Sequence, residues 1–323
     1  MVRGCTSLAI AALLVLLAGP PLAAFDLQGH RGARGLAPEN TLAGFAKALE
    51  IGVTTLETDL AVTKDGTIVL SHDPVLNPDI VRGTDGRWLA APGPAINSLT
   101  LAELKLYDVG RLNPASKYAQ QFASQIPVDG QRVPTLAELF DLAKASGKAP
   151  RFNIETKLSP DRPDETPDAE TFARLVVDAV RGAGLARRIT IQSFDWRTLI
   201  AARRLAPEIE TVCLTYEKTL QDRLDGGNRR PSPWLAGLDP AALGGSVPKL
   251  AAAAGCRTWS PYFKELGPAA VAEAQALGLK VVPWTVNARD DLALVIDMNV
   301  DGLITDFPDR ARDVMAAKGI ALP

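Results

Sequence analysis

The sequence predicts a (β/α)8 TIM barrel with an insertion after its second strand. Three observations predict it. Eight short apolar or β-branched runs are spaced along the chain, alanine- and leucine-rich segments lie between most of them, and one long stretch breaks the alternation. Strands alternating with helices give parallel sheets, because a parallel crossover needs a connection of about helix length. Eight such units are the number that closes a barrel. The main alternative is an open doubly wound sheet, but no GxGxxG follows the first run.

The chain of 323 residues opens with "MVRGCTSLAIAALLVLLAGPPLAAFD", in which Arg3 precedes an apolar run and Ala23 and Ala24 supply small residues. The run is too short to span a bilayer comfortably, so residues 1–24 read as a cleaved export signal, and the mature chain is expected in the periplasm or secreted. The remainder, residues 25–323, has room for one large barrel domain. Its strand candidates are residues 25–30, 54–60, 151–156, 189–194, 210–216, 257–263, 280–286 and 301–307. Helical segments between them include "NTLAGFAKALEIG", "PTLAELFDLAKASG", "AETFARLVVDAVRGAG" and "GPAAVAEAQALG", and these end in glycine, as helices often do. In "PENT", Asn40 is the expected cap of the first helix, with Pro38 fixing the approach.

The break falls at about residues 74–132, rich in proline, glycine and asparagine. Its one helical island, "SLTLAELKLYDVG", starts with a capping box from Thr100 to Glu103. A stretch this long is usually a functional insertion, and it follows the strand end where barrel active sites lie. It reads as a cap over the pocket, with residues 226–245 as a weaker candidate for a second wall.

Lysine plus arginine number 35 against 37 acidic residues, with no basic block, which argues against nucleic acid as the partner. After the signal only Cys213 and Cys256 remain. Two cysteines cannot build a zinc site by themselves. Export permits a disulfide without requiring one, and two buried thiols is the favoured reading.

The chain has only two histidines, His30 in "QGHRGARGLAPEN" and His72 at the end of "LETDLAVTKDGTIVLSHD". Imidazole is the side chain suited to proton transfer near neutrality. Residues two apart on a strand share a face, so Glu57 and Asp59 point together. Asp65-Gly66 is the dipeptide of a two-residue hairpin turn. Counting back from that turn pairs Lys64 with Thr67, Leu60 with Ser71 and Asp59 with His72, so the second imidazole is expected opposite the second carboxylate. A slip of one residue would turn His72 to the other face.

"NIETK" adds Glu155 and Lys157 on one face of the third candidate strand. Three clustered carboxylates need a counter-charge, and an all-oxygen donor set favours a hard cation, Ca2+ or Mg2+, over zinc. Lys157 is a compact positive charge suited to a phosphate oxygen. Any one of these features has a bland reading as a solvated acid pair or a simple turn. Jointly, His30, Glu57, Asp59, His72 and Glu155 all fall at strand C-terminal ends, and chance does not require that.

"HRGARGLAPENT", "LETDLAVTKDGTIVLSHD", "VPTLAELFDL", "NIETK", "QSFDW", "PWTVN" and "DGLITDFP" follow one another in order. Together they resemble the glycerophosphodiester phosphodiesterase family over nearly the whole mature chain. The resemblance implies a barrel that hydrolyses glycerophosphodiesters to an alcohol and sn-glycerol 3-phosphate with a divalent cation. It implies metal ligation by Glu57, Asp59 and Glu155, acid–base work by His30 and His72, and phosphate contact by Arg31 and Lys157. It favours Trp284 as an apolar wall for substrate, where composition alone favours barrel core. Glu39 is a candidate support for Arg31, Gln192 and Phe194 are ambiguous, and Trp196 reads as the start of a helix. Two rivals stand beside this reading: another two-histidine phosphodiesterase of phospholipase type, and an exported phosphodiester-binding protein without catalysis. Amidohydrolase barrels are disfavoured, since no HxH motif exists.

Overall fold

Parallel strands covered on both faces are buried along almost their whole length, and the strands of this wall are so, polar residues included. A computed structural model describes Met1, residues 24–225 and residues 228–321. In chain order its strands are β1 (Asp26–Gly29), β2 (Thr55–Val62), β3 (Ile68–Leu70), β4 (Arg151–Thr156), β5 (Ile189–Ser193), β6 (Glu210–Thr215), β7 (Arg223–Asp225), β8 (Asn228–Arg230), β9 (Thr258–Pro261), β10 (Lys280–Val281) and β11 (Gly302–Thr305). The wall runs β10-β9-β6-β5-β4-β2-β1-β11. The pairings along it are parallel. Each of the eight expected strand segments holds one of these strands, with β2 running two residues past its expected end. The last seam is closed by single hydrogen bonds, from Asp301 N to Val281 O, Ile304 N to Pro283 O and Val286 N to Ile304 O, each 2.9 Å. Pro283 has no N–H to give, which accounts for the brevity of β10. The fold is a (β/α)8 barrel, with helices such as Leu42–Ile51, Ala169–Gly182 and Trp196–Leu205 packed around it.

The first helix is capped by Thr41, whose side chain accepts from Gly44 N, and not by Asn40 as expected. Asn40 has φ +50° and turns inward instead. Gly32, at φ +88°, lies so close to the backbone at Gly44 that a Cβ there would sit 2.6 Å from it. That contact seats the loop after β1 against the first helix.

The β2–β3 hairpin departs from its expected register. Leu60 pairs with Leu70, Ala61 with Val69 and Val62 with Ile68. Thr63 N donates to Thr67 O at 3.0 Å, and Gly66 N to Thr63 O at 2.9 Å. The loop therefore holds three residues, Lys64 to Gly66, with Gly66 at φ +79°, rather than two. Ser71, not His72, lies opposite Asp59, whose carbonyl accepts from Ser71 N at 3.0 Å. The strand ends at Leu70, and the chain turns at once, with Ser71 Oγ donating to Asp73 O at 2.9 Å. This turn carries His72 back toward the barrel mouth, so the expected proximity holds although the register does not.

The insertion follows β3 and carries its own apolar cluster, in which Leu76, Val81, Ile96, Leu104 and Val133 pack on Ala61 and Val69 of the hairpin. The capping box from Thr100 to Glu103 is present, but its helix is one turn, Leu101–Leu104. A second short helix, Lys117–Gln121, follows. Beyond it the insertion is tied to the loop after β1: Ile126 N donates to Leu36 O at 2.9 Å, and Gln125 Nε2 to Arg34 O at 2.7 Å.

Cys213 on β6 and Cys256, just before the neighbouring β9, form a disulfide with Cα atoms 5.9 Å apart. This corrects the thiol reading. Cys213 pairs with Trp259 of β9, Cys256 lies three residues before that partner, and both cysteines are buried. The expected leader, residues 1–24, falls almost wholly outside the described residues. Among the described residues no helix is long and apolar enough to cross a membrane.

Candidate active site

Parallel pairing of β2 with β4 sets Asp59 beside Glu155 and Glu57 beside Asn153. With the alternation of β2, this brings Glu57, Asp59 and Glu155 onto one inward face, and ligand-competent oxygens of the three lie within 4.8 Å of one another. All three are buried. Glu57 accepts from Gln192 Nε2 at 2.6 Å and from the Arg31 backbone N–H at 2.9 Å. Asp59 Oδ2 accepts from Asn40 Nδ2 at 2.9 Å and lies 3.0 Å from Arg31 Nε. Its other oxygen, Oδ1, is buried without a hydrogen bond, 3.7 Å from Lys157 Nζ. Lys157 Nζ pairs with Glu155 at 2.8 Å.

The electrostatics follow from this crowding. Burial, reinforced by the charges of Asp59 and Glu155, pushes the Glu57 carboxyl well above the usual range. Burial likewise drives Glu155 up to about 7, against the opposing pull of Lys157. Burial would raise Asp59 too, but the Arg31 guanidinium together with His72, Lys157 and His30 outweighs it and holds this carboxyl low. Two acids are thus driven toward neutrality, and a third stays charged with a bare oxygen. That set of hard oxygen donors, with its bare Asp59 Oδ1, fits a divalent metal ion.

His30 sits at the end of β1. Its Nδ1 lies 2.7 Å from Asp306 Oδ1. Asp306 also accepts from Arg34 Nε at 2.7 Å, Arg34 Nη2 at 3.0 Å and Asn287 Nδ2 at 2.6 Å. Burial would raise the Asp306 carboxyl, but Arg34 and His30 hold it far below the usual range, so it only accepts. Nδ1 therefore carries the proton, and Nε2, 4.0 Å from Glu57 Oε2, keeps its lone pair toward the recess. Burial and the nearby Arg34 charge lower this imidazole to about 4. His72 is arranged in parallel: Nδ1 lies 2.9 Å from Asp73 Oδ1, and Asp73 Oδ2 accepts from Asn77 Nδ2 at 2.7 Å. Burial and the charges of Arg31 and Lys157 lower it as well.

Both imidazoles, Glu57, Glu155, Lys157 and Trp284 line one inner recess of about 160 Å³. Arg31 lines it too, but its guanidinium is engaged by Glu39 at 2.7 Å and by Asp59. An outer recess of about 310 Å³ shares His72, Glu155, Lys157, Phe194 and Trp284 with the inner one. Trp234, from the second irregular region, stands in its wall. Sequence reading named the three clustered carboxylates, both imidazoles, and Glu39 as support for Arg31. It missed Asp306, Asn40 as a ligand of Asp59, and Tyr118 of the insertion, whose hydroxyl bonds Glu39 and accepts from Arg34 Nη1 at 3.0 Å. Asp306 lies in "DGLITDFP", beside β1 across the barrel seam, and that adjacency was the available signal.

Barrel and site together define an enzyme of the polar-mouthed (β/α)8 class, with proton-transfer groups gathered over a buried acidic cluster. The pattern of the glycerophosphoryl diester phosphodiesterase family matches residues 30–310, and the chain belongs to that family; it is a phosphoric diester hydrolase. A glycerophosphodiester phosphodiesterase of Bacillus subtilis is 30% identical over 87% of this chain and 83% of its own length. One from Caldanaerobacter subterraneus is 28% identical over 90% and 97%. A Silicibacter pomeroyi crystal structure assigned as a glycerophosphoryl diester phosphodiesterase superposes with TM-score 0.82 at 34% identity, covering 94% of this chain and 97% of that one. An Oleispira antarctica phosphodiesterase, solved in complex with the product sn-glycerol-3-phosphate, shares the fold at TM-score 0.65 and 22% identity, covering 90% and 96%.

Proposed function

We propose that this chain hydrolyses glycerophosphodiesters to an alcohol and sn-glycerol 3-phosphate by two-histidine acid–base catalysis over a divalent cation. The observation that carries the reading is the convergence of two imidazoles, each tied through Nδ1 to a carboxylate, on a recess floored by three acids. Glu57, Asp59 and Glu155 would hold the ion, Ca2+ or Mg2+. When bound, it would supply positive charge to the non-bridging phosphoryl oxygens, where charge builds in the transition state.

The chain's own residues supply the rest. Lys157 gives a second point charge to the phosphate, and Arg31, at the edge of the same recess, adds a third while holding Asp59 ionised. His30 borders only the inner recess, whereas His72 borders both. His30 Nε2 therefore takes the proton of the attacking oxygen, which belongs to water or to the glycerol 2-hydroxyl; the hydroxyl gives a cyclic phosphate that water then opens to sn-glycerol 3-phosphate. His72 gives a proton to the leaving alkoxide on the outer side. One P–O bond forms and the opposite one breaks, and one proton enters the site for each that leaves. Trp284 lies against the carbon skeleton.

The test is to incubate the purified protein with a glycerophosphodiester and follow sn-glycerol 3-phosphate with and without EDTA. Product that appears only with divalent metal is expected. Tight binding without product would replace the hydrolase by the exported binding protein.

The mature chain is proposed to work outside the cytoplasm. The leader pattern at residues 1–24 and the Cys213–Cys256 disulfide support this, since such bonds persist in oxidising compartments. Fractionation that leaves the protein uncleaved in the cytoplasm would overturn it. Cys213→Ser is expected to cost about 2–4 kcal/mol of unfolding free energy by chemical denaturation.

A further inference from the structure

The outer recess has a chemistry of its own. Phe194, Tyr216 and Trp284 stand in its wall with ring centroids 5.4, 5.3 and 6.2 Å apart and interplanar angles of 86°, 82° and 85°. Three mutually perpendicular rings make the corner of a box, and Trp234 lines the same cavity. Aromatic faces carry the negative side of the ring quadrupole and attract cations. Lys157 Nζ already lies 5.8 Å from the Phe194 centroid, on the side shared with the inner recess.

The polar groups confined to the outer recess point the same way. Asp73 and Glu165 line it and are acidic, whereas Arg162 is the one base confined to it. Glu165 Oε2 is sealed from solvent with no hydrogen bond, and its counter-charge is Arg162 Nη1 at 3.1 Å, on a side chain more than half exposed. Thr166 Oγ1 beside it is buried with no hydrogen-bond partner among the described residues. A recess with several aromatic walls and a surplus of acid suits a cation that is poorly hydrated and offers no N–H to bond.

We infer that the outer recess is a subsite for a quaternary ammonium alcohol, so that the preferred substrate is a glycerophosphodiester of choline type. This rests on the hydrolase reading for its placement of the leaving alcohol, which would sit beside His72 with its cation in the aromatic corner. An amine with N–H groups or an uncharged polyol would gain less from ring faces, because each must give up hydrogen bonds to water that aromatic walls do not replace.

Two measurements test it. In the first, kcat/KM is compared for glycerophosphocholine, glycerophosphoethanolamine and glycerophosphoglycerol. The choline ester is expected to lead by about tenfold, and Glu165→Gln, Tyr216→Leu and Trp234→Leu should each reduce that lead by roughly threefold to tenfold. Equal values for the three esters, or variants that slow all three in the same ratio, would overturn the subsite. The second measurement is calorimetric titration with choline alone, with wild type and Trp234→Leu. Binding that weakens in the variant supports the subsite, and no heat in either protein overturns it. This arm needs no turnover: a protein that binds choline but cleaves no ester fails as a hydrolase and keeps the subsite, while one that cleaves all three esters alike does the reverse. Circular dichroism of each variant separates a lost subsite from a lost fold.

Discussion

The strand end that carries His30 and the hairpin end that carries His72 present the same ring by different means. His30 is anchored from the barrel itself: Asp306 takes bonds from Arg34 and Asn287 as well as from the imidazole, and all of this lies nearly sealed from water. His72 stands on a turn, about a third exposed, with Asp73 held only by the ring and by Asn77. A group that must accept a proton gains from a dry, rigid setting in which its neutral form is favoured. A group that must deliver one to a departing alcohol gains from contact with the open recess. On the proposed mechanism, the difference teaches that one residue type is set to two tasks by its surroundings.

The strongest way to break this contrast is to delete each ring. His30→Ala and His72→Ala are each expected to lower kcat with glycerophosphocholine by about 10²–10⁴-fold. A p-nitrophenyl ester then separates them, because its leaving group departs without a proton. His72→Ala should recover most of its loss on that ester and His30→Ala should not; equal recovery would erase the assignment.

Next in size are the carboxylates behind the rings. Asp306→Asn should cost about 10–100-fold in kcat and move the pH profile, because the amide leaves the ring's tautomer unfixed. Asp73→Asn should cost less, since water already reaches that pair. A reversed order would mean the hairpin, not the barrel, fixes the more demanding ring.

The acidic cluster gives a smaller, pH-dependent signal. Glu155 is raised to about 7 in the folded protein, so it binds a proton there that the unfolded chain releases near its ordinary value of 4.5. Its stabilising contribution in the metal-free protein is full below that ordinary value and fades as pH rises through about 7. A cation competes with this proton. Ca2+ or Mg2+ should therefore raise the melting temperature by a few degrees at pH 8 and by less at pH 5.5; a larger gain in acid would contradict the cluster. The least effect is expected from Tyr118→Phe, which frees Glu39 and Arg34 from the insertion: roughly a threefold fall in kcat/KM, with melting little changed.

Much of this could be read from the chain because barrel strands announce themselves twice, by apolar runs and by spacing. The acids were legible for the same reason: a period of two places Glu57 with Asp59, and parallel pairing adds Glu155. The hairpin was less so. Asp65-Gly66 suits a two-residue turn, yet a type I turn followed by glycine at positive φ uses the same letters with one residue more. His72 reached the site only because the strand stops at Leu70, and local sequence does not state where a ladder ends. Asn40 was read as a cap because asparagine favours that place, but the neighbouring threonine took it, and the amide turned to Asp59. Asp306 and Tyr118 act through partners far along the chain, and no local pattern encodes such a meeting.

The bond between His30 and Asp306 joins residues separated by 276 positions. On the ribosome, the first imidazole of the site must wait for the last strand before its ring is aimed. Shorter nascent chains can gather the acids of β2 and β4, yet they carry no finished base. In refolding, activity should thus trail the burial of tryptophan. Such late assembly would keep the hydrolase silent until the barrel has closed.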